Sequence, residues 1–382
     1  YVNVVLLINP DKSILHSAKG PVILIGNLAD SKCMKELYYK NLAVTDLHYP
    51  GPGGYEIRTL LNPLGTGYNI IQIGYSDEAG LLKAVNMFCS EIKGSSLRYF
   101  CELHPTRLHI PEGKEKELLY CNFSLDDPTI SHTAPIDEIG YLAYLTGKKD
   151  LLDLYYRSWK ALFKVEYNHL KLHKRVAAWR FLEVTGMIPE DLRGEIVNFL
   201  YEWADGDEGI ESIMHNIYQC PNFPRQNHGL IPAMGLVLLH DYFKKYYPEL
   251  QKPSKWKEAA DKVYSVYFNG SWKPLCDGLC HGWWLSQPAM LGYALFDDQH
   301  KYLESGGARK AAFCAMAVVN NSGWMPNAGD SSITRQFPGY VLDMTSEYYK
   351  DGKARYMSNL APIWRRGYSG PISDRKSTRL NS

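Results

Sequence analysis

The sequence predicts a mainly α protein: an incomplete α/α toroid of helical hairpins preceded by a small α+β domain. Three observations lead there. Strand-like and helix-like segments alternate only in the first stretch of the chain. From about Thr129 onward, apolar residues recur at helical spacing and no strand-like run intervenes. A helix-turn-helix pattern also recurs: Gly140-Tyr141 through Leu151 parallels Gly292-Tyr293 through Leu303. Stacked hairpins of this kind close into solenoids or rings. The expected domains are 1–112 (α+β), 113–373 (toroid) and a tail, 374–382.

In the first domain, Pro21–Leu28 is a short apolar run closed by Gly26-Asn27, the pattern of a buried strand ending in a turn. Ser31 caps a helix that runs to Tyr39. Gly51-Pro52-Gly53-Gly54 is a loop between that helix and two strands, Tyr55–Leu61 and Asn69–Tyr75. Glu78–Ile92 carries Leu81, Leu82, Val85, Phe88 and Cys89 at helical spacing. In the second domain, helices are expected at Ile136–Leu145, Asp150–Leu162, Leu170–Thr185, Pro189–Trp203, Ile210–Tyr218, His228–Tyr246, Lys255–Phe268, Ser286–Phe296 and Ala308–Val319. Pro189 followed by Glu190 and Asp191 marks a helix start, because proline has no N–H to lose there and acids favour the positive end of the dipole.

Composition narrows the function. With 42 basic and 41 acidic side chains, the chain lacks the concentrated positive charge that binding a nucleic-acid backbone requires. The longest apolar run, Gly229–His240, is about half the ~20 residues that span a bilayer. The 28 Tyr and 9 Trp are an excess that suggests flat rings with a polar edge lining a binding surface. Eight cysteines are scattered; Cys276, Cys280 and His281 have no second pair at zinc-finger distance, so the cysteines read as small buried hydrophobes and no metal or cofactor is expected.

The chain begins at Tyr1 and enters a strand-like stretch at once. Asp374–Ser382 resembles a translated sequencing adapter and is set aside from fold reasoning. It holds one acid and three bases, so the balance without it is one negative charge. The expectation is a piece of a longer protein, cut at both ends.

The order Ile25-Gly26-Asn27, Gly53-Gly54-Tyr55-Glu56-Ile57-Arg58, Ile70-Ile71-Gln72-Ile73-Gly74-Tyr75 and Asp77-Glu78-Ala79-Gly80-Leu81-Leu82 resembles the accessory N-terminal domain of α-glucuronidases and β-hexosaminidases. That resemblance implies a non-catalytic role for this stretch.

Three later segments concentrate polar and aromatic groups. Arg225-Gln226-Asn227-His228-Gly229 enters a long apolar helix. The plain reading is that Asn227 caps this helix and His228 packs in its first turn. Asp277-Gly278-Leu279-Cys280-His281-Gly282-Trp283-Trp284 leads to Tyr293, for which the plain reading is an aromatic of the helix interior. Trp324-Met325-Pro326-Asn327-Ala328-Gly329-Asp330-Ser331 is a turn-rich loop. In this order the segments resemble those of toroidal polysaccharide lyases acting on alginate, heparin and chondroitin.

The resemblance implies β-elimination on a uronic-acid polysaccharide, in the periplasm or outside the cell, with no metal. Asn227 and His228 would neutralise the uronate carboxylate. Tyr293 would take the C5 proton, with His281 as base or partner. Arg225, Gln226, Trp283 and Trp284 would hold the sugar chain, and Asn327 and Asp330 would line the cleft. The Asp277-to-Tyr293 spacing fits the alginate-lyase pattern; the His281-to-Tyr293 spacing is longer than its chondroitin-lyase counterpart. The β-sandwich that follows such toroids is not in the sequence.

Two further groups carry weaker signals. His169 and His173 are one helical turn apart but flanked by Lys171 and Lys174, which reads as a solvated face. Asp137-Glu138 and Asp205–Glu208 would suit a toroidal glycoside hydrolase, the second enzyme reading, though helix-start acids explain them more simply. A non-catalytic carbohydrate-binding module is the third reading.

Overall fold

A computed structural model describes residues 10–40, 42–43, 45–47, 49–93, 107–109, 136–163, 172–183, 187–211, 213, 226–269, 283–297, 300–318 and 339–358. They are mostly helical and fall into two units, one ending with the sheet and one beginning at Ile136. The boundary expected near residue 112 and the tail 374–382 lie outside the described residues.

The first unit runs α1 (Ser13–Ser17), β1 (Val22–Gly26), α2 (Lys32–Tyr39), β2 (Tyr55–Leu60), β3 (Ile70–Tyr75), α3 (Glu78–Lys93) and β4 (Arg107–His109). The sheet order is β1-β3-β2-β4, with β1 parallel to β3 and the other pairs antiparallel. Ser31 caps α2 as expected, accepting from the Met34 N–H at 3.2 Å. The glycine loop is tied to the start of α3: Asp77 accepts from Gly53 N (2.9 Å) and Gly80 N (2.8 Å), while Ser76 Oγ accepts from Gly51 N (2.9 Å).

One sheet face is apolar, with Tyr55, Ile57, Ile71 and Ile73 packed on Ala84 and Phe88 of α3. The other departs from the simple alternation rule, which would put Glu56, Arg58 and Gln72 in water. All three are buried. Glu56 accepts from Thr45 Oγ1 (3.1 Å) and Gln72 Nε2 (3.2 Å), and Arg58 lies 3.8 Å from it while donating to the Leu42 carbonyl. Burial raises the Glu56 pKa, and Arg58 and Thr45 oppose that rise. Thr45 sits so close to β3 that a Cβ at Gly74 would lie 2.2 Å from its Oγ1, which is why glycine stands there.

The second unit contains α4 (Ile136–Thr146), α5 (Lys149–Leu162), α6 (Leu172–Glu183), α7 (Glu190–Asp205), α8 (Gln226–Tyr246), α9 (Lys252–Asn269), α10 (Trp283–Phe296), α11 (Lys301–Glu304), α12 (Gly307–Val318), α13 (Gly339–Tyr349) and α14 (Gly352–Ser358). Where Ile210–Tyr218 was expected to start a helix, Asp207–Glu211 forms a wide turn kinked at Gly209; residues 214–218 lie outside the described set.

Alternate helices run parallel. Tyr144 of α4 meets Phe181 of α6 (centroids 5.1 Å apart), and a Cβ at Gly140, one turn earlier, would lie 3.2 Å from Ala178. Between α6 and α8, Leu172 packs at Gly235, Arg180 binds Asp241 at 2.6 Å, and Tyr242 donates to Glu183. The Arg180 guanidinium also lies 5.4 Å from the Phe296 ring of α10. Contacts that advance together along both helices mean that α4, α6 and α8 point the same way. Helix α10 joins them through α9, which runs opposite to both neighbours: Trp256 meets Phe243 and Tyr264 reaches Leu230 on α8, while Lys257 meets Asp297 and Tyr264 meets Tyr293 at α10. The returning helices α5, α7 and α9 join one another through Trp159–Phe199 (6.0 Å) and Tyr201–Trp256 (5.3 Å).

Being covered on several sides explains why α6 buries nearly all its residues, including Arg175, His173 and Arg180. The solvated face expected for His173 is therefore overturned: it is 5% exposed, and its partner His169 lies outside the described residues. Many aromatic side chains among the described residues pack inside the helical unit. Trp159, Trp179, Trp203, Trp256, Tyr144, Tyr155, Tyr242 and Tyr264 are all buried between helices.

The burial of His173 has a pH consequence. Burial first, and Lys174 second, push its pKa down to about 3. The unfolded chain takes up a proton below roughly pH 6.5 that the folded imidazole refuses. Stability from this group is therefore complete above that pH and falls as pH drops towards 3, at a limiting slope of about 1.4 kcal/mol per pH unit. In urea titrations near neutral and near pH 5, His173→Gln is expected to show a smaller acid loss than the parent. Equal losses would reject this account.

Candidate functional site

The helix layer brings two of the three motif segments to a common end. Helix α8 begins at Gln226, two residues earlier than expected, so Asn227 and His228 both lie in its first turn. Asn227 is thus inside the helix and not its cap. Helix α10 begins at Trp283, three residues earlier than expected, and Trp283 and Trp284 open it. Since α8 and α10 are parallel and share the Arg180 crossing near Asp241 and Phe296, their opening turns lie at the same end of the layer and at similar height. Arg225, His281, Asn327 and Asp330 lie outside the described residues.

Pro232 marks the start of α8 in a second way. Proline has no N–H, so the His228 carbonyl loses its normal partner four residues on, and the ring crowds that carbonyl. Pro288 stands in the corresponding part of α10 and withdraws the partner of the Trp284 carbonyl. The two motif turns therefore share a local backbone device that the sequence reading passed over.

Tyr293 is placed elsewhere. It stands in the penultimate turn of α10, about 15 Å along the axis from Trp283 at 1.5 Å per residue. Its side chain is buried, and its hydroxyl donates to Asp261 Oδ1 of α9 at 2.7 Å. Its ring lies flat on Tyr264, with centroids 3.9 Å apart and planes 9° from parallel. Burial, and then the Asp261 carboxylate, hold its pKa well above that of an ordinary phenol. A catalytic base needs the opposite: a hydroxyl that reaches the substrate and loses its proton easily. This geometry fits the plain reading of Tyr293, an interior aromatic.

No family model matches the chain, and no curated protein or solved structure matches it. Among the described residues, no cluster of three or more His, Cys, Asp or Glu side chains is placed to hold a metal ion. No helix among them is long and apolar enough to cross a membrane.

Proposed function

We propose that the chain is a polysaccharide lyase that cleaves a uronic-acid polymer by β-elimination. The observation that carries this reading is the shared end of α8 and α10, where the Asn227-His228 and Trp283-Trp284 turns meet the same side of the parallel layer. The alternation of parallel and returning helices supports an α/α toroid as the frame, with the sheet unit as a non-catalytic accessory domain. The substrate class, an anionic polysaccharide, places the reaction in the periplasm or outside the cell.

The C5 proton of a uronate is weakly acidic because the resulting carbanion lies beside a charged carboxylate. Donors that neutralise that carboxylate stabilise the enolate-like intermediate. Asn227 and His228 take that role. The base removes the C5 proton, the C4–O4 bond breaks, O4 leaves with a proton, and a C4–C5 double bond remains. With the Tyr293 hydroxyl committed to Asp261, the base is assigned to His281. Trp283, Trp284, Arg225 and Gln226 hold sugar faces and neighbouring carboxylates, and Asn327 and Asp330 line the cleft.

The test is a panel of uronate polysaccharides followed by near-ultraviolet absorbance of the new double bond. A rise with at least one polymer is expected. Folded protein that gives no rise with any polymer rejects the lyase reading, and new reducing ends without absorbance would show a hydrolase instead.

A further inference from the structure

Helix α9 carries Lys257, Asp261, Tyr264 and Phe268 at i, i+4, i+7 and i+11, a spacing that puts all four on one face. That face meets α10. Lys257 Nζ lies 2.6 Å from Asp261 Oδ1 and 3.0 Å from Asp297 Oδ2, and 5.6 Å from the centroid of the Tyr293 ring. Tyr293 donates to the same Asp261 oxygen and stacks on Tyr264. The Tyr264 hydroxyl points the other way and donates to the Leu230 carbonyl of α8 at 2.7 Å, just beyond Asn227-His228-Gly229. A continuous link therefore runs from the start of α8, through the two stacked rings, to an ion pair just past the last residue of α10.

We infer that this link is a positioning device that fixes the height of the Trp283-Trp284 turn against the Asn227-His228 turn. The inference rests on the uronate reading of those two turns. Partly exposed ion pairs contribute little each. Their value here is registration: sliding α10 by one turn along α9 would break the Lys257–Asp297 pair, the Tyr293–Asp261 bond and the ring stack together. Positioning errors of about 1 Å between groups that act on one substrate can cost on the order of 100-fold in rate.

Tyr264→Phe and Tyr293→Phe each remove one hydroxyl and keep the stack. Amide hydrogen exchange is then followed across 226–232 and 283–290, with the α4–α6 pair as internal reference. Each variant is expected to speed exchange several-fold in both opening turns and to leave the reference unchanged. Faster exchange in only one of the two turns overturns the link. With any polysaccharide that the parent cleaves, kcat is expected to fall about tenfold with KM nearly unchanged. Coupled exchange with unchanged kcat overturns the positioning role. If the parent cleaves none of the panel, the lyase reading and the positioning role fall together, and the exchange result still decides the link.

Discussion

Asn227→Ala is expected to lower turnover on a uronate polymer by on the order of 10²–10³, the usual loss when one donor to a developing oxyanion is removed. The harder question is whether such a loss reports chemistry or a damaged helix start, and Asn227→Asp separates the two. Asn227 lies in the first turn of α8, where the helix dipole favours negative charge. If the side chain only supports the helix, an aspartate there is neutral or stabilising and activity survives. If it faces the substrate carboxylate, the aspartate sets one anion against another and activity falls further than with alanine. Turnover and thermal midpoint are measured together. Aspartate activity equal to that of the parent would remove Asn227 from the site.

The same logic distinguishes Asn227 from Tyr293, which the sequence placed in one mechanism. The repeat between Gly140-Tyr141 and Gly292-Tyr293 correctly marked a helix in each half, but a repeat identifies an element without saying which way its residues face. The side of α10 that Tyr293 occupies is set by its partner helix: the stripe of α9 running from Lys257 to Phe268 supplies both a carboxylate and a flat ring. That stripe is visible in the sequence as a helical face. Its pairing with α10 is not, because pairing is decided by packing between distant segments.

Helical periodicity made most of the second unit legible to within a few residues, since an amphipathic stripe such as Leu151, Tyr155, Trp159 and Leu162 records one buried side. It failed where burial is all-round. In α6 the buried Arg175 and His173 break the apolar pattern, and lysines nearby suggested water on a face that in fact packs against neighbours. The sheet unit shows the same failure in β2, where alternation puts Glu56 and Arg58 outward and the structure buries them against Thr45 and Gln72. The start of α8 was set too late because Asn227 reads as a cap, which puts the first helical residue at His228, whereas the helix already begins at Gln226. The motif positions thus came from chemistry in the sequence, while their common end came from the parallel packing of helices.

Trp256→Ala is expected to cost about 3–5 kcal/mol, the range for emptying a buried aromatic site. The indole is fully buried where three helices meet: Tyr201 of α7 and Phe243 of α8 present edges to it at 5.3 and 5.7 Å, and Trp256 itself belongs to α9. Its removal unseats α9 from both neighbours, and α9 is the helix that carries Lys257, Asp261 and Tyr264. Trp256→Phe should cost much less, for a reason beyond volume. The indole N–H is buried with no hydrogen-bond partner, so the tryptophan already bears a desolvation cost that phenylalanine removes. The lost ring area and the recovered cost offset each other in part, leaving a loss of roughly 1 kcal/mol. Urea unfolding followed by far-ultraviolet circular dichroism reads both variants. Equal losses for phenylalanine and alanine would mean that the site demands the full indole, and that the unpaired N–H carries no measurable cost.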